Sequence, residues 1–204
     1  MGLSIHYRGR LADIRQIKSV CEILTDIAEE KKWKIFVLNE DWTLPADPRI
    51  VFTDNRAFID GHLPLKGVSL NIASGAETLC FFFDAEGNLR DPMSLTAIAE
   101  GSLKPEEAWL SVKTQFAPPE AHLWIIFLLK YLKKYYIPDL EVHDEGEYWE
   151  TGSFDRLKEK LKFIADKTDA VSDVLSRISR DNIPGCSGEE LADRIEDALR
   201  KKFD

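Results

Sequence analysis

The sequence predicts an α+β fold: a mixed β-sheet with two strand–helix–strand units, central antiparallel hairpins and a C-terminal helical segment. Three observations predict it. LSIHYR (3–8) alternates apolar and polar with the period of a strand that has one wet face. Two long runs, 14–31 and 119–136, repeat apolar residues at helical spacing, each between strand-like runs. Between residues 49 and 84, short β-type runs alternate with turn signals.

In chain order, Leu3, Ile5 and Tyr7 form the apolar face of the first strand, which Gly9 ends. Asp13 reads as an N-cap, with Gln16 completing a capping-box-like pair. Ile14, Ile17, Val20, Cys21, Leu24, Ile27 and Ala28 then mark an amphipathic helix, and WKIFVL (33–38) is the next strand. This first unit is expected to close with a parallel, right-handed connection. NEDWTLPADP (39–48) is a loop, because Pro45 and Pro48 deny donors to a ladder. RIVFT (49–53), RAFID (56–60), GVSLNI (67–72) and TLCFFFD (78–84) are the central strands, followed by a turn at AEGN (85–88). LSVKTQF (110–116), a helix opened by Pro118 and Pro119, and LEVHDE (140–145) make the second unit. That helix is apolar on most sides, so it belongs in the core.

The chain divides into a mixed α/β core domain, 1–150, and a helical C-terminal segment, 151–204, packed on the same domain. Within the segment, helical spacing marks 153–167, then 170–180. After a break at Asn182–Gly185, Ser187 and Glu190 cap a last helix bearing Leu191, Ile195, Ala198 and Leu199.

Composition narrows the function. The net charge is −9, and residues 1–102 and 103–204 are each acidic, with 11 bases against 15 acids and 16 against 21. Neither half offers the basic footprint of a nucleic-acid or anionic-membrane binder. Three dispersed cysteines, Cys21, Cys80 and Cys186, give no zinc spacing and no disulfide framework. With no apolar core of signal-peptide length in MGLSIHYRGRL and no long apolar run, the expectation is a cytoplasmic, soluble protein, monomer or small homo-oligomer. Phosphate-loop, dinucleotide, zincin, nucleophile-elbow and EF-hand signatures are missing, and no cofactor is implied.

The densest chemistry is DLEVHDEGEYWE (139–150), with six acids and His143. Period-2 geometry places Glu141, His143 and Glu145 on one face. Imidazole with carboxylates suits a divalent metal, and the same residues equally suit a solvated strand face. Glu120 and His122, at the start of the second helix, form another catalytic candidate pair, since helix N-termini favour anions. The plainer account makes Glu120 a dipole partner and His122 a surface residue. His6 and Arg8 share the polar face of the first strand, which can approach His143. Glu147, Tyr148 and Trp149 are binding candidates, an aromatic pair in an acidic setting. The Lys130–Tyr136 stretch reads as a snorkelling rim around a core face. The expectation is a small acidic binding or regulatory module acting through a protein or small-molecule partner. The alternative is a metal-assisted, hydrolase-like enzyme that uses His143 with nearby carboxylates such as Glu145.

Overall fold

Strand pairing departs from the sequence reading before the strands themselves do. The computed structural model describes residues 2–54, 56–180, 189–190, 192–193, 196–197 and 200. Among them, nine strands form three sheets, and every hydrogen-bonded pair is antiparallel. The elements are β1 (Ser4–Arg8), α1 (Ile17–Lys31), β2 (Lys34–Asn39), β3 (Arg49–Thr53), β4 (Arg56–Asp60), β5 (Lys66–Asn71), β6 (Leu79–Phe83), β7 (Leu89–Arg90), α2 (Pro92–Ala99), β8 (Leu110–Lys113), α3 (Pro119–Tyr135), β9 (Glu141–Asp144), α4 (Tyr148–Thr151) and α5 (Phe154–Arg180). The α+β class and the C-terminal helical segment hold. The parallel closure expected of the first unit does not, because β1 and β2 lie in different sheets.

The first sheet has the order β8-β1-β9. Since β1 is antiparallel to both neighbours, β8 and β9 run parallel to each other with β1 inserted between them. The second strand–helix–strand unit is therefore a split one, its two strands separated by the N-terminal strand. Leu3, Ile5 and Tyr7 point inward and are buried, as the alternation requires. The second sheet is the meander β2-β5-β6-β7, and β3–β4 is a separate hairpin with Phe52 and Phe58 exposed.

One core joins these layers. Val20, Leu24 and Ala28 of α1 pack with Val68, Leu70, Leu79, Phe81 and Phe83 of the second sheet, and with Ile125, Ile126, Leu128, Leu129 and Leu132 of α3. Tyr7 reaches across from the first sheet. Its hydroxyl donates to the Cys80 carbonyl at 2.7 Å and accepts from the Cys80 N–H at 3.2 Å. Register explains why those groups are available. Asp84 N–H bonds to the Asn88 carbonyl, so even-numbered β6 residues face β7, which pairs only as far as Phe82. Tyr7 fills the vacant ladder position, and burial pushes its hydroxyl well above the ordinary value, keeping it protonated.

Local differences have local causes. Residues 14–16 form a 3₁₀ turn. Asp13 caps it through the Arg15 N–H rather than by the expected box with Gln16. Helix α2, which the sequence reading left out, starts at a capping box between Asp91 and Ser94 with Pro92 at its first position. The two helices expected at 153–167 and 170–180 are one helix, α5. No glycine or proline interrupts it, and the Thr168 hydroxyl bonds the Ile164 carbonyl along its surface. The expected break at 182–185 lies outside the described residues, as do Ser187, Leu191, Ile195, Ala198 and Leu199 of the expected last helix, whose described residues 189–190, 192–193, 196–197 and 200 are helical.

Candidate functional site

The β1/β9 end of the first sheet gathers most of the candidate residues and presents them at three depths. On the outer face, antiparallel pairing sets His6 opposite His143 and Arg8 opposite Glu141. The two imidazoles stack, centroids 6.0 Å apart. Arg8 grips Glu141 with bonds of 2.8 and 2.9 Å, donates to the Glu106 carbonyl, and lies 4.5 Å over the Trp109 ring. The expectation that His6 and Arg8 approach His143 holds, by antiparallel rather than parallel neighbours. Glu145 closes the row by accepting the Ser4 N–H at 2.6 Å. Among the described residues, no group of three or more His, Cys, Asp and Glu is placed to hold a metal ion.

The inner face holds a sealed polar cluster. His122 is fully buried, which corrects its reading as a surface residue at the helix start. Its Nδ1 lies 2.9 Å from the Thr114 hydroxyl, and its Nε2 lies 3.0 Å from Asp144 Oδ1, off the line of a straight hydrogen bond. Asp144 also accepts the N–H groups of Gly146 (2.7 Å) and Trp149 (2.9 Å). Burial pushes the Asp144 carboxyl up. The adjacent His122 imidazole, with the two backbone donors, outweighs burial and holds the carboxyl below its ordinary value. Hydroxyl, imidazole and carboxylate are the residue types of a nucleophilic relay. Here Thr114 and Asp144 are 1% and 3% exposed and His122 is wholly enclosed, so no substrate reaches the hydroxyl. The cluster ties β8, α3 and β9 together. Gly146 completes the seal, because a Cβ there would sit 2.9 Å from the imidazole and 2.8 Å from Leu157. Glu120 stays exposed in the first turn of α3, outside the cluster.

The third depth is a groove. Beyond Asp144 the chain turns sharply, with Glu147 in the left-handed region at φ 58°, a conformation that costs about 1–2 kcal/mol in a residue with a Cβ. The turn delivers α5, whose Leu157 and Leu161 pack on Leu3. Between α5, the start of β1 and the turn lies a groove of about 540 Å³. Leu3, Ile164 and the 58% exposed Phe163 supply its apolar surface, while Glu145, Glu147 and Glu159 face Arg156 and Lys160 around it. Lys160 bonds Glu147 at 2.8 Å and the Glu145 carbonyl at 2.9 Å, and Arg156 lies 3.9 Å from Glu147. Lys160, and more weakly Arg156, hold the Glu147 carboxyl below its ordinary value against the opposing push of burial and of Asp144.

Known families, curated proteins and solved structures offer no match to this chain.

Of the candidates, Glu145 and Glu147 line the groove, His6, Arg8 and His143 share the outer face, and His122 is enclosed. Tyr148 and Trp149 are half-buried against the core, with the Lys130 ammonium 5.8 and 5.5 Å from their rings, so they brace the turn instead of projecting from it. Sequence reasoning passed over Asp144, Thr114, Trp109 and Phe163. For Asp144 a signal existed: period 2 places it opposite Glu141, His143 and Glu145, and an acid on the inward face of a strand calls for a buried partner.

Proposed function

We propose that this chain is a binding module that takes up a basic, amphipathic segment of a protein partner in the groove between α5 and the β1/β9 end of the first sheet. The observation that carries this reading is Phe163, a large apolar side chain left exposed in a groove that Leu3, Ile164, Glu145, Glu147 and Glu159 also line, with the Lys167 ammonium 5.6 Å from its ring. Exposed apolar surface rimmed by polar groups is characteristic of interaction sites. The two bases that line the groove, Arg156 and Lys160, are engaged with Glu147, which leaves Glu145 and Glu159 as the acids of the lining that no base among the described residues grips in an ion pair. The net charge of −9 adds long-range attraction for a basic partner. The left-handed Glu147 fits the same reading, since backbone strain concentrates where ligands are clamped. The alternative of a metal-assisted enzyme built on His143 draws less support, because His143 stacks on His6 and has no ligand set around it among the described residues.

Fluorescence anisotropy with two labelled synthetic peptides tests the proposal, one an amphipathic Leu/Lys helix and the other its Leu/Glu counterpart. The Leu/Lys peptide should bind saturably and weaken as salt rises, while the Leu/Glu peptide should not bind. Phe163→Asp should reduce the affinity at least tenfold and leave the melting temperature unchanged. Equal binding of both peptides, or full binding by Phe163→Asp, refutes the assignment.

A further inference from the structure

The second sheet ends in β2, the terminal strand of β2-β5-β6-β7, whose outer edge pairs with no other strand among the described residues. Its side chains are unusually open for an apolar strand, with Phe36 60% and Val37 57% exposed. Natural edge strands are normally blunted by proline, a bulge or a central charge. KIFVLN has none of these between its ends.

The register shows what this edge offers. The Glu40 N–H bonds the Leu65 carbonyl, on the same register that pairs Lys34 with Asn71 and Leu38 with Gly67. In an antiparallel ladder, hydrogen-bonded positions alternate. Residues 34, 36, 38 and 40 therefore bond β5, and Ile35, Val37 and Asn39 turn their N–H and C=O groups outward. These three positions are symmetric about Val37. The charges around them are symmetric in position and opposite in sign, with Lys34 three residues before Val37 and Glu40 three after it.

We infer that β2 pairs with β2 of a second copy of this chain, antiparallel, with Val37 on the two-fold axis. In this register Val37 exchanges both backbone bonds with its twin, and Ile35 and Asn39 exchange theirs with Asn39 and Ile35 of the other copy. Six hydrogen bonds form without disturbing β5. Phe36 meets Leu38 in the closer, non-hydrogen-bonded pairs, where side chains touch most. Lys34 meets Glu40 at both ends, where Glu40 already lies 3.7 Å from His62. A two-fold interface needs such a self-complementary patch, and the product is a continuous eight-stranded sheet. The groove at α5 takes no part in it.

Sedimentation equilibrium of the full chain should show a concentration-dependent monomer–dimer equilibrium. Val37→Pro removes an outward N–H and no bond to β5, so it should weaken dimerisation at least tenfold while the fold, read by circular dichroism, persists. Val37→Lys, a charge on the edge, serves as a second monomerising variant. Register is tested by charge exchange. Lys34→Glu alone and Glu40→Lys alone should each be largely monomeric, and an equimolar mixture of the two should form a heterodimer. A wild type that stays monomeric at millimolar concentration, a dimer indifferent to both Val37 variants, or failure of the mixture to associate overturns the inference.

Discussion

Removing the Asp144 carboxylate is the most direct challenge to the account of the sealed cluster. In Asp144→Ala, two backbone donors lose their acceptor together, the Gly146 N–H at 2.7 Å and the Trp149 N–H at 2.9 Å, and His122 Nε2 loses its carboxylate neighbour at 3.0 Å. Each hydrogen bond to a charged group contributes about 1.5–3 kcal/mol, but bonds converging on one carboxylate are not additive. Each buried donor left without an acceptor costs about 1–3 kcal/mol, and we expect a total loss of about 2–5 kcal/mol. His122→Ala should cost less, since Asp144 keeps its backbone donors. The double variant should lose less than the sum of the two by roughly 1–3 kcal/mol, as expected for groups in direct contact. Urea unfolding near neutral pH and 25 °C measures all three. A cost for Asp144→Ala below about 1 kcal/mol, or strict additivity with His122→Ala, would refute the view that this cluster holds β8, α3 and β9 together.

The same cluster sets a pH dependence. Asp144 ionises below its ordinary value in the folded state, so its contribution is complete above the unfolded value of about 4 and disappears as pH falls through the folded one. The stability gap between wild type and Asp144→Ala should hold level from pH 7 to about 5 and narrow below about 4, and urea titrations at each pH follow it. Tyr7→Phe should cost about 1–3 kcal/mol, because it strands the Cys80 N–H and C=O at the joint between two sheets. A melt indistinguishable from wild type would show that the hydroxyl is dispensable. Leu128→Ala, at a fully buried position of α3, should cost roughly 2–5 kcal/mol in the same assay. A cost under about 1 kcal/mol would mean that the α3 face has been misassigned.

What could be read from the sequence follows the range of the interactions involved. Period-2 and helical spacing are local, and they located β1, β2, β3, β4, α1 and α3 to within a few residues. Pairing is not local. Nothing in LSIHYR says that its neighbours are LSVK and EVHD, more than a hundred residues away, so the parallel closure of β1 with β2 was the wrong partner choice for a correctly placed strand. The outer face of the first sheet was legible because polar residues on a wet strand announce themselves by alternation. His122 was not, because its burial depends on Thr114 and Asp144 arriving from two other elements. Phe163 was hidden for a related reason. It sits one position off the Leu157–Leu161–Ile164 stripe, and only the end of β1 against α5 turns that offset into a groove.

The insertion of β1 between β8 and β9 also constrains the order of assembly. The second sheet closes within residues 34–90, through hairpins between consecutive or nearly consecutive strands. The first sheet cannot begin to close until Ile5 meets Val112, and it is complete only when Ile5 also meets Asp144. Loops of that length carry a closure entropy that must be met before any contact rewards it, and such contacts slow folding. During synthesis, β1 therefore leaves the ribosome well before either strand it pairs with. Until then its apolar face, Leu3, Ile5 and Tyr7, has no neighbouring strand to shield it, and the nascent chain is most open to wrong partners during that interval.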